Sequence, residues 1–309
     1  MTSWARPFGV VTVWFDSWAY RPDPAKDPLR VDWARVTPFI LLHLMCLGPI
    51  LVGWSWAALG VAFALYWIRA FAITAFYHRY FSHRTFRTSR VAQFLFALLG
   101  ASAVQRGPLW WAAHHRLHHR NSDGPKDVHS PHQHGFWWSH IGWITAPANF
   151  PTRLDVVPDF ARYPELRMLD RFDMAAPALL AGGLFGLGSL LGGMGVNTSG
   201  PQMLIWGFFI STVVLFHATC LINSAAHRVG RRRYATRDQS GNSLWLALLT
   251  LGEGWHNNHH RYPVAARQGF FWWEIDVTYY VLVFMSWIGI IRDLRPVPAH
   301  VKLSAAARP

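Results

Sequence analysis

Trp67 to His83 reads WIRAFAITAFYHRYFSH, an apolar run that ends in two histidines five residues apart. The block Ala57 to Phe76 approaches the ~20 residues that an apolar helix needs to cross a ~30 Å hydrocarbon layer. His78 and His83 follow it at once. Neutral imidazole is the commonest metal ligand among side chains. A membrane span that runs straight into an HxxxxH pair therefore predicts a metal site just beyond the end of a helix.

The rest of the chain repeats both halves of this pattern. Further apolar blocks cover Thr37 to about Trp56, Met174 to Gly195 and Gln202 to Ile222, giving four predicted spans in all. Seven more histidines fall into three groups: HRLHH (His115, His118, His119), HNNHH (His256, His259, His260), and NSAAH, which closes with His227 four residues after Asn223. On a helix, positions i, i+3 and i+4 share a face, so each HxxHH is expected to aim three nitrogens at one point. Nine imidazoles are more than one ion can hold, which implies two metals. His78 and His83 lie roughly 140° apart on an ideal α-helix. They are expected either to serve different metals or to be separated by a helix end.

Charge gives an orientation. The chain has 52% hydrophobic residues yet a formal net charge of +13. Of its 29 Lys and Arg, only Arg69 lies between Thr37 and Phe76, and none lies between Phe172 and His227. Positive charge is retained inside, so both termini and every histidine group are expected on the cytoplasmic side. No signal peptide is seen at the N-terminus. The basic residues flank apolar spans, where anionic headgroups attract them; this argues against a nucleic-acid partner. Cys46 and Cys220 both fall inside spans and read as packed thiols, not as a zinc ribbon. Gly182/Gly186 and Gly188/Gly192 fit small-residue helix packing in lipid better than a nucleotide loop.

Other segments are read more simply. Val91 to Val104 is too short to span and suits the interface, and Val277 to Ile291 is expected to pack on the cap. Trp110-Trp111, Trp137-Trp138 and Trp272-Trp273 look like interfacial anchors. The N-terminal segment and the tail after Arg295 read as loosely ordered. His43, His217 and His300 are taken as interfacial or hydrogen-bonded. His114, His129, His132, His134 and His140 are read as solvated or as supports of the ligands. Asp123, Asp127 and Glu253 are candidates to orient imidazoles.

A set of imidazoles without thiolates suits iron, zinc or copper. Two redox metals above apolar spans suggest oxidation of an apolar substrate. HRYFSH, WAAHHRLHH, NSAAH and GEGWHNNHH, in this order, resemble the membrane fatty acid desaturase family, and its Δ9 stearoyl-CoA branch most. The likeness runs from about Trp67 to Arg292. It implies an all-α integral membrane fold of one domain (1–309). Four spans would carry a cytosolic cap (about 77–171 and 223–292) holding two non-haem irons, with zinc able to replace them in purified protein. Implied ligands are His78, His83, His115, His118, His119, His227, His256, His259 and His260, with Asn223 through water. Trp111 and Thr219 match residues that line the bend of an acyl tunnel in that family.

The implied reaction is O2-dependent insertion of a cis double bond, Δ9 in that branch, into a saturated chain on CoA or a lipid. Ala113 and His114 stand where animal members have an Arg-Asp pair near the CoA headgroup, a departure shared with bacterial-type members. No HPGG-type cytochrome b5 domain is seen, so a separate ferredoxin, cytochrome b5-type protein or flavin reductase is expected to supply electrons. The rivals are a membrane hydroxylase that uses similar histidine boxes and a metal transporter without redox chemistry.

Overall fold

The computed structural model describes residues 12–20 and 29–304. Four helices among them are long and apolar enough to cross a membrane: α1 (Trp33–Val52), α2 (Trp56–Ser82), α6 (Ala175–Gly193) and α7 (Gly200–Ser224). Between α2 and α6 lie α3 (Arg90–Ala101), α4 (Pro108–Asn121) and α5 (Pro164–Arg171), and after α7 come α8 (His256–Arg261) and α9 (Val277–Trp287). The strands are two residues long, β1 (Arg87–Thr88) paired antiparallel with β2 (Ile291–Arg292). The protein is mostly helical, as its sequence predicts.

Three of the spans begin a little earlier than the apolar blocks suggest, and α6 is slightly shorter than its block. Asp32 caps α1 by accepting from Arg35 N, and Ser55 caps α2 by accepting from Ala58 N. Gly53 turns the chain between them at φ +63°. The largest departure is α2, which runs to Ser82 and is a π-helix from Ala72 to Ser82. Its i→i+5 pattern persists to His83 N, which donates to His78 O at 3.3 Å.

A buried arginine braces the membrane bundle. Arg69 is fully buried. It donates to Ser102 O at 3.2 Å, to Thr212 Oγ1 at 2.6 Å and to Ser211 Oγ. A cation at such depth must find acceptors within the protein, and these tie α2 to α7 and to the turn after α3. Beyond the spans, the cap packs on Tyr77, Phe81, Phe86 and Phe160, all buried. Each such ring contributes on the order of 1.5–3 kcal/mol by leaving water.

Several local expectations change. Trp110 is buried and Trp111 half-buried, so this pair belongs to the cap interior. Trp137 and Trp272 are exposed at 75% and 81%, as anchors require. Residues 12–20 are not loose: Ser17 Oγ donates to Asp173 at 2.8 Å and Trp18 Nε1 to Asp170 at 3.0 Å. The tail also docks, with Val301 buried against Tyr234 and Phe270. The parts of the N-terminal reading that fall on 1–11 and 21–28 lie outside the described residues.

The glycines of α6 divide in two. A Cβ on Gly188 would meet Ser199 O at 2.4 Å, and one on Gly192 would meet Thr198 O at 2.7 Å. Gly182 and Gly186 would meet nothing within 4 Å, so they are not packing positions. Gly188→Ala should therefore destabilise the protein by about 1–3 kcal/mol through overpacking. Gly182→Ala should leave it unchanged or stabilise it by roughly 0.5–1 kcal/mol. Thermal unfolding of both variants in detergent or nanodiscs checks the contrast.

Candidate metal centre

The nine boxed histidines meet where α2, α4, α7 and α8 end or pass within the cap, and they form two groups. Ligand atoms of His78, His83, His115, His119 and His259 lie within 4.8 Å of one another, and so do those of His118, His227, His256 and His260. Each HxxHH is thus split between the groups, contrary to the expectation of one point per triplet. The reason is angular. Residues i and i+4 differ by about 40° around a helix, whereas i+3 and i+4 differ by about 100°. His115 and His119 therefore share a group and His118 turns to the other. On α8, His256 and His260 share one and His259 crosses over.

The π-helix explains the remaining pair. With i→i+5 bonding, residues five apart come nearly into line, and the rings of His78 and His83 lie 4.9 Å apart in the same group. Ideal α geometry had placed them on different sides. Glu253 holds His78 Nδ1 from the far side. Arg79, next along the π-helix, is buried and donates to Asp276 Oδ1 at 2.9 Å and Glu253 Oε1 at 3.3 Å. Gly252, at φ +125°, permits this arrangement, since a Cβ there would meet Asp276 Oδ1 at 2.4 Å.

Carboxylates orient three of the four histidines in the other group. His118 Nδ1 donates to Asp127 Oδ2 at 2.9 Å, His227 Nδ1 to Asp123 Oδ2 at 2.9 Å, and His260 Nδ1 to Asp238 Oδ2 at 2.7 Å. A carboxylate can only accept, so these contacts put the proton on Nδ1 and leave Nε2 free. Burial alone would raise Asp123, but the hydrogen bond and charge of His227 together with hydrogen bonds from Gln239 N and Ser130 outweigh this and lower it to about 2. Burial likewise opposes ionisation of Asp127 and Asp238, and their histidine partners nevertheless hold both low. Asp238 was not foreseen from sequence, because it sits in an irregular loop with no fixed spacing to a box.

Sequence reading also missed the two asparagines of HNNHH. Asn257 Oδ1 accepts from Arg233 N at 2.8 Å and Tyr234 N at 2.7 Å. Asn258 Nδ2 donates to Gln268 O at 3.0 Å and Glu274 Oε2 at 2.9 Å. Both are fully buried and lock the short α8 in place.

The donor set fits a pair of cations. Burial drives His83, His115, His119, His256 and His259 well below the usual histidine range, with neighbouring imidazoles adding to it. Burial also lowers His260 to about 4. Neutral imidazole is the form that ligates. Nε2 atoms then face each other directly: His83 to His115 at 2.8 Å, His115 to His119 at 2.9 Å, and His227 to His256 at 2.9 Å. His260 Nε2 is buried with no hydrogen-bond partner. Lone pairs so arranged repel unless a proton or a shared cation lies between them.

Two cavities meet at this centre. The larger, about 480 Å³, runs from Arg35, Leu41 and Met45 of α1 to Trp111, His115, Thr219 and Asn223. The smaller, about 50 Å³, starts from the same four inner residues and continues past His78 to Tyr66, Ala70 and Leu249. Trp111 and Thr219 thus line both. Trp111 stacks on His115 with ring centroids 5.1 Å apart, and Thr219 Oγ1 accepts from Gln105 Nε2 at 3.0 Å. Asn223 stands on the shared wall.

A sequence model of the fatty acid desaturase family matches residues 54–289, a stretch that holds all four boxes. The chain belongs to that family. It is 38% identical over 279 residues to the sn-1 stearoyl-lipid 9-desaturase of Synechocystis sp., covering 90% of this chain and 84% of that protein. It is 36% identical to the sn-2 palmitoyl-lipid 9-desaturase of Nostoc sp., covering 89% of this chain and 94% of the relative. An acyl-CoA 5-desaturase of Anemone leveillei is 35% identical, with 90% and 87% covered. The protein is accordingly an oxidoreductase acting on fatty acyl chains, a fatty acyl desaturase. The transporter reading falls with this assignment.

The remaining histidines of this desaturase sort by environment. His114 is buried and lowered to about 4 by desolvation, its Nδ1 donating to Trp110 O at 3.0 Å. His129 is buried beside Asp127, and burial lowers it to about 3. His132 and His134 are exposed. His43 and His217 bond to each other at 3.1 Å within the membrane bundle.

Two tests follow from this geometry. Asp238→Asn should weaken metal binding by about 10–100-fold in the four-histidine group only. Metal titration should then show one strong and one weakened site. His114, His129 and His260 stay neutral in the fold but take a proton when unfolded below about pH 6.5, so stability must fall as pH drops from 6.5 toward 4. Metal-free protein melted at pH 7.5 and pH 5 should show the lower transition at pH 5.

Proposed function

We propose that this desaturase inserts a cis double bond at Δ9 of a saturated acyl chain esterified to a membrane lipid. The observation that carries the reading is the shared wall of Trp111, His115, Thr219 and Asn223, where an apolar cavity open at α1 meets the histidine centre. The acyl carboxyl end is tethered to a bulky polar carrier, so only the methyl end can enter the small inner chamber. Relatives named for lipid-linked substrates and for position 9 support the carrier and the regiochemistry. Ala113 supports the carrier too, because it is buried and supplies no polar group to a soluble headgroup.

The residues fit two irons, one held by His78, His83, His115, His119 and His259, and the other by His118, His227, His256 and His260. Asn223 would complete the second set through water. When bound, the iron pair and O2 supply an oxidant strong enough to take hydrogen from an unactivated methylene. The chain's own part is to hold imidazoles neutral, exclude water and fix which methylene lies against the centre. The protein acts as one domain, with its termini and cap on the cytoplasmic face. Arg228 and Arg231 follow α7 directly, while the turns at Gly53 and Gly195 carry no charge.

Expression in a bacterium supplied with saturated chains, followed by mass spectrometry with double-bond location, tests this. A new cis-Δ9 acid in the lipid fraction, absent with His118→Ala, is the expected result. Hydroxylated chains instead would establish the hydroxylase. Ala70→Phe should shift preference to shorter chains while leaving the bond at position 9, because position is counted from the tethered end.

A further inference from the structure

Four exposed cations frame one side of the cap: Lys126, Arg228, Arg237 and Arg261. None makes an ion pair among the described residues. Each is the immediate neighbour in sequence of a residue that builds the four-histidine group. Arg228 follows His227, and Arg261 follows His260. Arg237 precedes Asp238, which holds His260, and Lys126 precedes Asp127, which holds His118. Between them, the path from surface to imidazole is short. The backbone N–H of exposed Gln239 donates to Asp123 Oδ2 at 2.8 Å, and that same oxygen accepts from His227 Nδ1 at 2.9 Å. Arg232 stiffens this loop, donating to Gln239 Oε1 at 2.9 Å and Asp238 O at 2.7 Å.

The five-histidine group lacks such a port. Its carboxylate, Glu253, is buried against Arg79. The exposed cations beside its histidines are Arg84, which is directed at Asp159 at 3.6 Å, and Arg120, which makes no ion pair among the described residues. The cationic side carries no exposed aromatic ring among those four positions and their neighbours.

We propose that the surface of Lys126, Arg228, Arg237, Gln239 and Arg261 is the docking site of an acidic one-electron carrier protein, and that electrons enter through the four-histidine side. This rests on the desaturase reading above. The stoichiometry requires the partner: O2, a saturated –CH2–CH2– unit, two electrons and two protons give –CH=CH– and two water molecules. The chain loses two hydrogens, and the carrier must deliver the other two electrons in two visits. A cationic surface steers an acidic partner and makes its binding salt-dependent.

The test uses the iron-loaded protein in nanodiscs of neutral phosphatidylcholine. Its Kd is measured for a plant-type [2Fe–2S] ferredoxin and, separately, for the soluble domain of cytochrome b5. At least one carrier should bind, with Kd rising about tenfold or more between about 50 and 300 mM salt. The double variant Arg228→Glu/Arg237→Glu should raise Kd about tenfold or more at low salt and flatten the salt dependence. Arg228→Lys/Arg237→Lys should restore binding, and Arg292→Glu on β2 should not disturb it. Iron content and thermal midpoint report whether a variant has folded. If the first pair does not fold, Lys126→Glu/Arg261→Glu makes the same measurement.

Unchanged affinity in a folded reversal variant overturns the inference, and so does a wild type that binds neither carrier. A variant that loses affinity only for vesicles containing phosphatidylglycerol would assign the surface to lipid instead. Failure of the desaturase reading looks different. In that case no unsaturated product forms with either carrier or with a chemical reductant, whatever the binding data show.

Discussion

Nine imidazoles packed into one largely buried pocket are the constraint around which the rest of this protein is arranged. Facing Nε2 atoms at 2.8–3.0 Å repel as bare lone pairs and attract only through a proton or a cation held between them. The fold must therefore hold them in place against their own repulsion. Protonation is no escape, since burial penalises the charged form. The carboxylates Asp123, Asp127, Asp238 and Glu253 fix the outer nitrogens, and Arg79 with Asp276 holds Glu253 in turn. Arg79 meets both Glu253 and Asp276, so the buried charges behind the five-histidine group are paired with one another.

The same demand accounts for the unusual backbone. A span that continued as an α-helix to Ser82 would point His78 and His83 apart. Widening its last eleven residues to a π-helix brings the two rings together and sends Arg79 toward Asp276. The six-residue α8 is too short to be stable by propensity alone. Asn257 and Asn258 anchor it from behind, so that His256 and His260 can face one group and His259 the other. Placing neighbouring histidines in different groups also keeps the two sites adjacent and rigidly related.

The acyl cavity follows from the position of the centre. α4 contributes both Trp111 and His115, while α7 contributes both Thr219 and Asn223, so the wall of the cavity and the rim of the metal site are built on the same helices. Trp111, which stacks on His115, thereby holds the cavity wall at a fixed relation to the imidazoles. The three carboxylate contacts of the four-histidine group reach toward an exposed cationic side, whereas the five-histidine group backs onto the buried Arg79 network. The two sites have like ligands and unlike surroundings.

How much of this the amino-acid sequence determined alone can be said residue by residue. Composition and apolar block length dictate four spans, because lipid accepts only segments that satisfy their own backbone. The four boxes dictate a paired, histidine-rich centre at one end of those spans, since no other chemistry needs nine imidazoles at helical spacing. Their assignment to two groups was not legible. It depends on a π-helix that no local propensity announces and on the roughly 100° step between adjacent histidines in each triplet. Asp238, Arg79, Asn257 and Asn258 were equally hidden, because side chains distant in sequence met only when the cap closed. Periodicity reports what one helix presents. Which partner faces it is decided by tertiary packing.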